Sequence, residues 1–253
     1  MREILLYFSV KYYGNWDKIY NALKAKENID YSLYKQIINR YKRKKYVTII
    51  DENYPKNLKN IAFPPFVLYY QGNFDLLMKE KIIWIFGAEI PETKYKEIYN
   101  LKLEFDQKDI TLIIGQSNFF ENIFLKNCNL KKMILIKDSG IDSQIIIDFE
   151  LEKKILNNNS LIISESPDYI LPTKKQWYKS NKIKIGLSNG IFLYNTRKEK
   201  DIFNVISHVI LENKKIYCYF NHFFDNNLNF ELIKHGGIEI NNIGELIKKW
   251  QKN

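Results

Sequence analysis

Six short apolar runs recur from residue 81 onward: KIIWIFG (81–87), ITLIIG (110–115), KMILIK (132–137), LIIS (161–164), GIFLY (190–194) and KIYCYF (215–220). Their apolar residues stand at consecutive positions, so each run must be covered on both faces. Helix-length stretches separate most of them, as at 93–106, 143–156 and 199–213. Strands buried on both sides and alternating with helices predict an α/β fold: a mostly parallel sheet with helices on both faces. The last segment, NNIGELIKKWQ, sets Ile243, Leu246, Ile247 and Trp250 at helical spacing. Asn242 and Glu245 form a capping pair at its start, predicting a C-terminal helix over 242–252.

The chain ahead of these runs has a different pattern. Residues 1–45 read as a small helical N-terminal domain. The opening MREILLYFSVKYY reads as a core-facing helix, and SLYKQIINRYKRKK gathers Leu33, Ile37, Ile38 and Tyr41 on one face. The basic end, from Arg40 to Lys45, suits a helix C-terminus and is also placed to meet phosphates. Tyr54-Pro55 and Pro64-Pro65 then interrupt regular helix, and FVLYY reads as a strand closed by Gly72-Asn73. The expected division is therefore 1–45 and 46–253, the second domain beginning with an extended lead-in over 46–80.

With 253 residues and 45% apolar side chains the chain has enough material for a large packed core. Its net charge of +10 favours anionic partners. Abundant Lys, Asn, Ile, Tyr and Phe with little Arg, Ala or Gly also has a compositional source, coding sequence rich in A and T. Cys128 and Cys218 form no metal-binding or disulfide pattern. No apolar run reaches the length of about 18 residues that spans a bilayer, and the N-terminus lacks a signal-peptide pattern. The expectation is a cytoplasmic protein with no membrane partner, no metal and no cofactor.

In open parallel sheets ligands bind beyond the carboxyl ends of the strands. Gly87 in IFGAEIPETKY and Gly115 in IIGQSNFF each stand at such a strand-to-helix turn, the latter followed by Gln116, Ser117 and Asn118. Neither is a dinucleotide or Walker motif, and a purely geometric role fits each glycine equally well. Glu89 beside Gly87 would repel phosphate. GQS lacks the second glycine of a nucleophile elbow, and His208, His222 and His235 have no metal-ligand spacing, so no catalytic constellation is evident. A lysine-rich stretch is the stronger feature: Lys174, Lys175, Lys179, Lys182 and Lys184 accompany Trp177 and Tyr178. Lysines neutralise phosphates and an aromatic ring stacks on an unpaired base. The same two aromatics would serve equally as anchors onto the sheet.

The motif order resembles the DprA/Smf family of DNA-processing proteins. NYPKNLKNIAFPPFVLYYQGN is similar to that family's opening through Tyr54-Pro55, Leu58, Pro64-Pro65, Val67-Leu68-Tyr69 and Gly72-Asn73. IFGAEIPETKY resembles its Gly-Ser-Arg turn through Gly87, Thr93 and Tyr95, and KDSGID its Gly-Leu-Asp turn through Gly140, Ile141 and Asp142. ISESP and WYKSNKIKIGLS match a Ser-Glu segment and a Phe-Pro-x-Arg-Asn-x-x-Ile-x-Gly-Leu-Ser segment through Ser164, Glu165, Asn181, Ile185, Gly186, Leu187 and Ser188. NNLNFELIKHGG retains Asn229, Leu232, Ile233 and Gly236.

The resemblance implies a Rossmann-like domain that binds and protects single-stranded DNA without turnover. It further implies delivery of that DNA to a RecA-type recombinase during recombination and natural transformation. Monomer and homodimer both remain open. The site it implies comprises Gly87, Thr93, Gly115, Gln116, Ser117, Asn118, Lys174, Lys175, Trp177, Tyr178, Lys179, Asn181, Lys182, Lys184 and Ser188. Two arginines of the family's pocket are here Glu89 and Ser180. Lysines would replace them as looser contacts, or the scaffold would persist as a protein-interaction module. A nucleotide-binding enzyme is the third reading.

Overall fold

A computed structural model describes residues 1–88, 90–143, 149–219 and 228–251. Three helices come first, α1 (Arg2–Lys11), α2 (Trp16–Lys24) and α3 (Tyr31–Tyr41). The side chains of Asn15 and Asp30 cap α2 and α3 by accepting from the Lys18 and Leu33 amides. Then follow β1 (Tyr46–Thr48), α4 (Lys56–Lys59), β2 (Val67–Gly72), β3 (Ile82–Phe86), α5 (Tyr95–Gln107), β4 (Thr111–Ile114), α6 (Phe119–Asn127) and β5 (Met133–Ile136). The remainder runs α7 (Phe149–Asn157), β6 (Leu161–Ser164), α8 (Lys174–Leu187), β7 (Gly190–Leu193), α9 (Lys200–Leu211), β8 (Lys215–Tyr219), α10 (Leu228–Lys234), β9 (Ile238–Ile240) and α11 (Ile243–Gln251).

Among the described residues the strands form one sheet, ordered β1-β2-β6-β5-β4-β3-β7-β8-β9. The seven strands from β6 to β9 in this order are parallel, whereas β1 and β2 add an antiparallel edge, with Tyr69 opposite Ser164 and Gly72 opposite Leu161. The six apolar runs are the strands β3 to β8, and the sheet is Rossmann-like as expected.

Alternate residues of each strand face two separate apolar layers. Ile83, Ile85, Leu112, Ile114, Leu135, Ile162 and Phe192 pack with Ile98, Leu101 and Phe105 of α5, Phe120 and Phe124 of α6, and Leu246 of α11. Leu5, Leu6, Tyr7, Phe8, Ile37 and Tyr41 of the N-terminal helices join this same layer beside Val67 and Tyr69. On the opposite face Trp84, Phe86, Ile113, Ile134, Ile163, Ile191 and Leu193 pack under Ile183, Ile185 and Leu187 of α8 and Ile202, Val205, Ile206 and Val209 of α9.

Two local features differ from the sequence-based expectation. The proline-broken lead-in contains the short helix α4, because Pro55 sits at its N-cap, where the missing amide hydrogen is not needed. The edge strands β1 and β9 have only three residues each, too short to show a period. The helix expected from 143 is described only from Phe149, residues 144–148 lying outside the described set. Asn229 of the closing motif has a structural role: its amide donates to the carbonyls of Leu193 and Tyr219, joining the ends of β7 and β8. No helix among the described residues is long and apolar enough to cross a membrane.

Candidate nucleic-acid interface

The chain order reverses between β3 and β7, the two adjacent strands from which the sheet grows in opposite directions. Their carboxyl ends are joined where the Ala88 amide donates to the Asn195 carbonyl at 2.5 Å. Beyond these ends lies a crevice of about 760 Å³. Gly87, Gln116, Ser117, Asn118, Lys174 and Trp177 line it together, as a strand-end site requires. Phe119, Asp138, Glu199 and Asp201 line it as well.

The turn after β4 explains why this crevice is not a simple phosphate cradle. Asn118 caps α6, and Glu121 completes a capping box. The Glu121 carboxylate also accepts from the amides of Gly115 at 3.0 Å and Ser117 at 2.9 Å. The amide groups that would receive an external anion therefore already hold an internal one. Lys184 lies behind it, 1% exposed, with its ammonium 3.9 Å from Glu121, 3.0 Å from Asn181 Oδ1 and 5.4 Å from the Trp84 ring centroid. Gly115 makes room for this pair: a Cβ there would come within 2.5 Å of the Lys184 ammonium and 2.6 Å of Glu121 Oε1. Gly87 is likewise a packing position, since a Cβ would come within 2.7 Å of the Phe120 ring.

The crevice surface is rich in amides and carboxylates. Asp138 accepts from Gln116 Nε2 at 3.1 Å and from Ser117 Oγ at 2.7 Å. Gln116 Oε1 and Asn118 Nδ2 are buried with no hydrogen-bond partner among the described residues, as are both polar atoms of the nearby Asn195 side chain. Lys174 at the rim pairs with Asp201 at 3.1 Å, which holds its ammonium above the ordinary lysine range. Such a surface presents hydrogen-bonding partners for the edges of bases and sugars while its carboxylates oppose the deep approach of phosphate.

The lysine stretch forms α8, whose N-cap Thr173 accepts from the Gln176 amide. A helix turns 100° per residue, so these lysines cannot share one face. Lys174 and Trp177 face the crevice, whereas Lys175, Lys179 and Lys182 face a second cleft against the N-terminal helices. Lys184, Asn181 and Ser188 are buried. The expectation that all five lysines line one groove is corrected: one lies at the crevice, three lie on another face and one is interior. Trp177 both packs on the apolar layer beneath α8 and lines the crevice. Tyr178 anchors α8 to α9 by donating to Asp201 at 3.4 Å. Thr93 is exposed on the turn before α5 and does not line the crevice. Glu89 lies outside the described residues, as does His222.

Burial pushes the thiols of Cys128 and Cys218 up to about 12, so neither is a thiolate at neutral pH. Among the described residues no group of three metal-ligating side chains comes together. Sequence reasoning missed Glu121, Asn195, Phe119 and Asp138. The Asn118-x-x-Glu121 capping pattern was a legible signal for the first of these. The others carry no local signal.

The matched family model spans residues 45–251 and is described as DNA recombination-mediator protein A. DNA processing protein A of Helicobacter pylori, whose structure is described as giving insights into its unique single-stranded DNA binding mode, is similar over 83% of this chain and 97% of its own. The TM-score is 0.69 at 22% identity. DNA processing protein A of Streptococcus pneumoniae is similar over 98% of this chain and 93% of its own, with a TM-score of 0.74 at 16% identity. No curated protein sequence shows significant similarity to the chain. The family model covers the chain from residue 45 to 251, beyond the three N-terminal helices, and the chain belongs to the DNA recombination-mediator protein A family.

Proposed function

We propose that the chain binds single-stranded DNA in the cytoplasm and passes it to a RecA-type recombinase, without catalytic turnover. The observation that carries this reading is a strand-end crevice bounded by Gln116, Ser117, Asn118 and Trp177 in a member of a DNA-recombination family. The similarity to the Helicobacter pylori protein, described as binding single-stranded DNA, supports it. In this reading the bases lead. An unpaired base enters the crevice, stacks on Trp177 and meets the polar side chains of Ser117 and Asn118 that line it. The phosphates remain outside, over Lys174 and Lys175 on the first turn of α8. Duplex DNA, with its base edges paired and stacked, cannot use the crevice in this way.

Trp177→Ala is expected to weaken single-strand binding by about 1–3 kcal/mol while leaving the far-weaker duplex binding unchanged. Fluorescence anisotropy with labelled oligonucleotides reads this directly. Equal loss on both forms, or no loss on either, would remove Trp177 from the interface. The carboxylates of Asp138, Glu199 and Asp201 favour a second reading, a protein-interaction module that has lost its DNA pocket. That reading gains ground if the wild-type chain ignores DNA altogether.

A further inference from the structure

The outer face of α8 carries a second feature that the strand-end crevice leaves unused. Lys175, Lys179 and Lys182, spaced i, i+4 and i+7, stand along one side of a cleft of about 350 Å³. Its other walls are the start of α2 and the segment before β2, which contribute Trp16, Phe63 and Phe66. The volume lies within the range of small-ligand sites and suits a single base. Glu165 also lines the cleft, 3.2 Å from the Lys179 ammonium.

Phe63 is the telling residue. It is 56% exposed, and its φ of +59° is a left-handed conformation that a bulky side chain rarely adopts. A strained backbone thus holds an aromatic ring in solvent at the mouth of a basic cleft. The ring meets Trp16 edge-on, with centroids 4.9 Å apart, and has the Lys182 ammonium 5.2 Å from its centroid. Lys175 is exposed with no ion-pair partner among the described residues. An aromatic platform beside unneutralised lysines is the arrangement that holds single-stranded nucleic acid irrespective of sequence.

We propose that this cleft is a second subsite for the same DNA strand, accepting one unstacked base against Phe63 while Lys175 and Lys182 hold the flanking phosphates. The strand reaches it from the crevice across the first turn of α8, where Lys174 and Lys175 are neighbours facing the two sites. The Glu165 carboxyl accepts a hydrogen bond from the amino or imino group of the bound base. Burial raises this carboxyl above the ordinary range, against the opposing effect of Lys179 and Lys182, so an incoming donor relieves a strained anion. This inference rests on the single-strand reading given above and adds to it a path and a second contact.

The test compares the wild-type protein with Phe63→Gly and Lys182→Glu, using labelled oligothymidylates of increasing length. Glycine keeps the left-handed backbone without strain, so Phe63→Gly removes the ring and leaves the fold intact. For strands long enough to span both sites, Phe63→Gly is expected to bind roughly 5- to 150-fold more weakly, the effect of one lost stacked base, and Lys182→Glu to bind more weakly with a shallower salt dependence, the effect of a lost phosphate contact. For strands short enough to fill only the crevice, both should match the wild type. Long-strand affinity unchanged in both variants, with wild-type binding intact, would overturn the second subsite and leave the parent reading standing. Failure of the wild type to bind any length would overturn both.

Discussion

Replacing Lys184 with methionine is expected to lower the stability of the fold by about 3–5 kcal/mol. The ammonium is 1% exposed and is the cationic neighbour of the equally buried Glu121 carboxylate. Methionine fills most of the same space without the charge but leaves that carboxylate with backbone amides alone, at Gly115, Ser117 and Asn118. Because those amides and the start of α6 still favour an anion, the loss should fall toward the lower end of the range. Urea unfolding measures it. Adding Glu121→Gln should recover a large part of the loss, since the double variant buries no unpaired charge. A single variant as stable as the wild type would show that Glu121 needs no counter-ion and that the turn is held by its amides.

Lys137→Met should be comparably damaging, at about 3–5 kcal/mol, for a different geometric reason. Its ammonium is fully buried and directs all three protons inward: to Glu152 at 2.5 Å, to the Ser143 carbonyl at 2.6 Å and to the Ile141 carbonyl at 3.0 Å. Removing it strands a carboxylate and two carbonyls together. The lysine follows β5 directly and holds the 138–143 turn, so its loss also frees Asp138 from its position in the crevice. Lower stability is therefore expected to come with weaker single-strand binding by the fraction that remains folded. A destabilised variant whose folded fraction binds as well as the wild type would show that the turn only supports the core.

These two lysines show what was legible in the sequence and what was not. The apolar runs that became β3 to β8 were plain, because a strand buried on both faces has a local signature. The lysine-rich stretch was equally visible, but its geometry was not. Composition gives five cations in eleven residues, whereas the helical turn sends them to two clefts and one buried pair. Lys184 and Lys137 look in sequence like surface charge. Their burial depends on partners 63 and 15 residues away, Glu121 and Glu152, which no local pattern connects. The glycines at 87 and 115 were correctly placed at strand-end turns, yet both serve close packing, against Phe120 and against the Lys184–Glu121 pair. The cleft behind α8 was illegible for the same reason: Trp16, Phe63 and Lys182 come from three separate segments.

The central claim is that this family member holds single-stranded DNA by its bases and by a few lysine–phosphate contacts. Binding of labelled single-stranded and duplex oligonucleotides across a salt series tests it most directly. Each neutralised phosphate of a single strand contributes about −0.7 to the slope of log affinity against log salt. Contacts at Lys174, Lys175 and Lys182 predict a slope near −2 on that basis, together with a clear preference for the single strand that persists at high salt, where base stacking remains. Binding that ignores strandedness and disappears as salt rises would contradict the account, because it would trace the interaction to the chain's net charge of +10 alone.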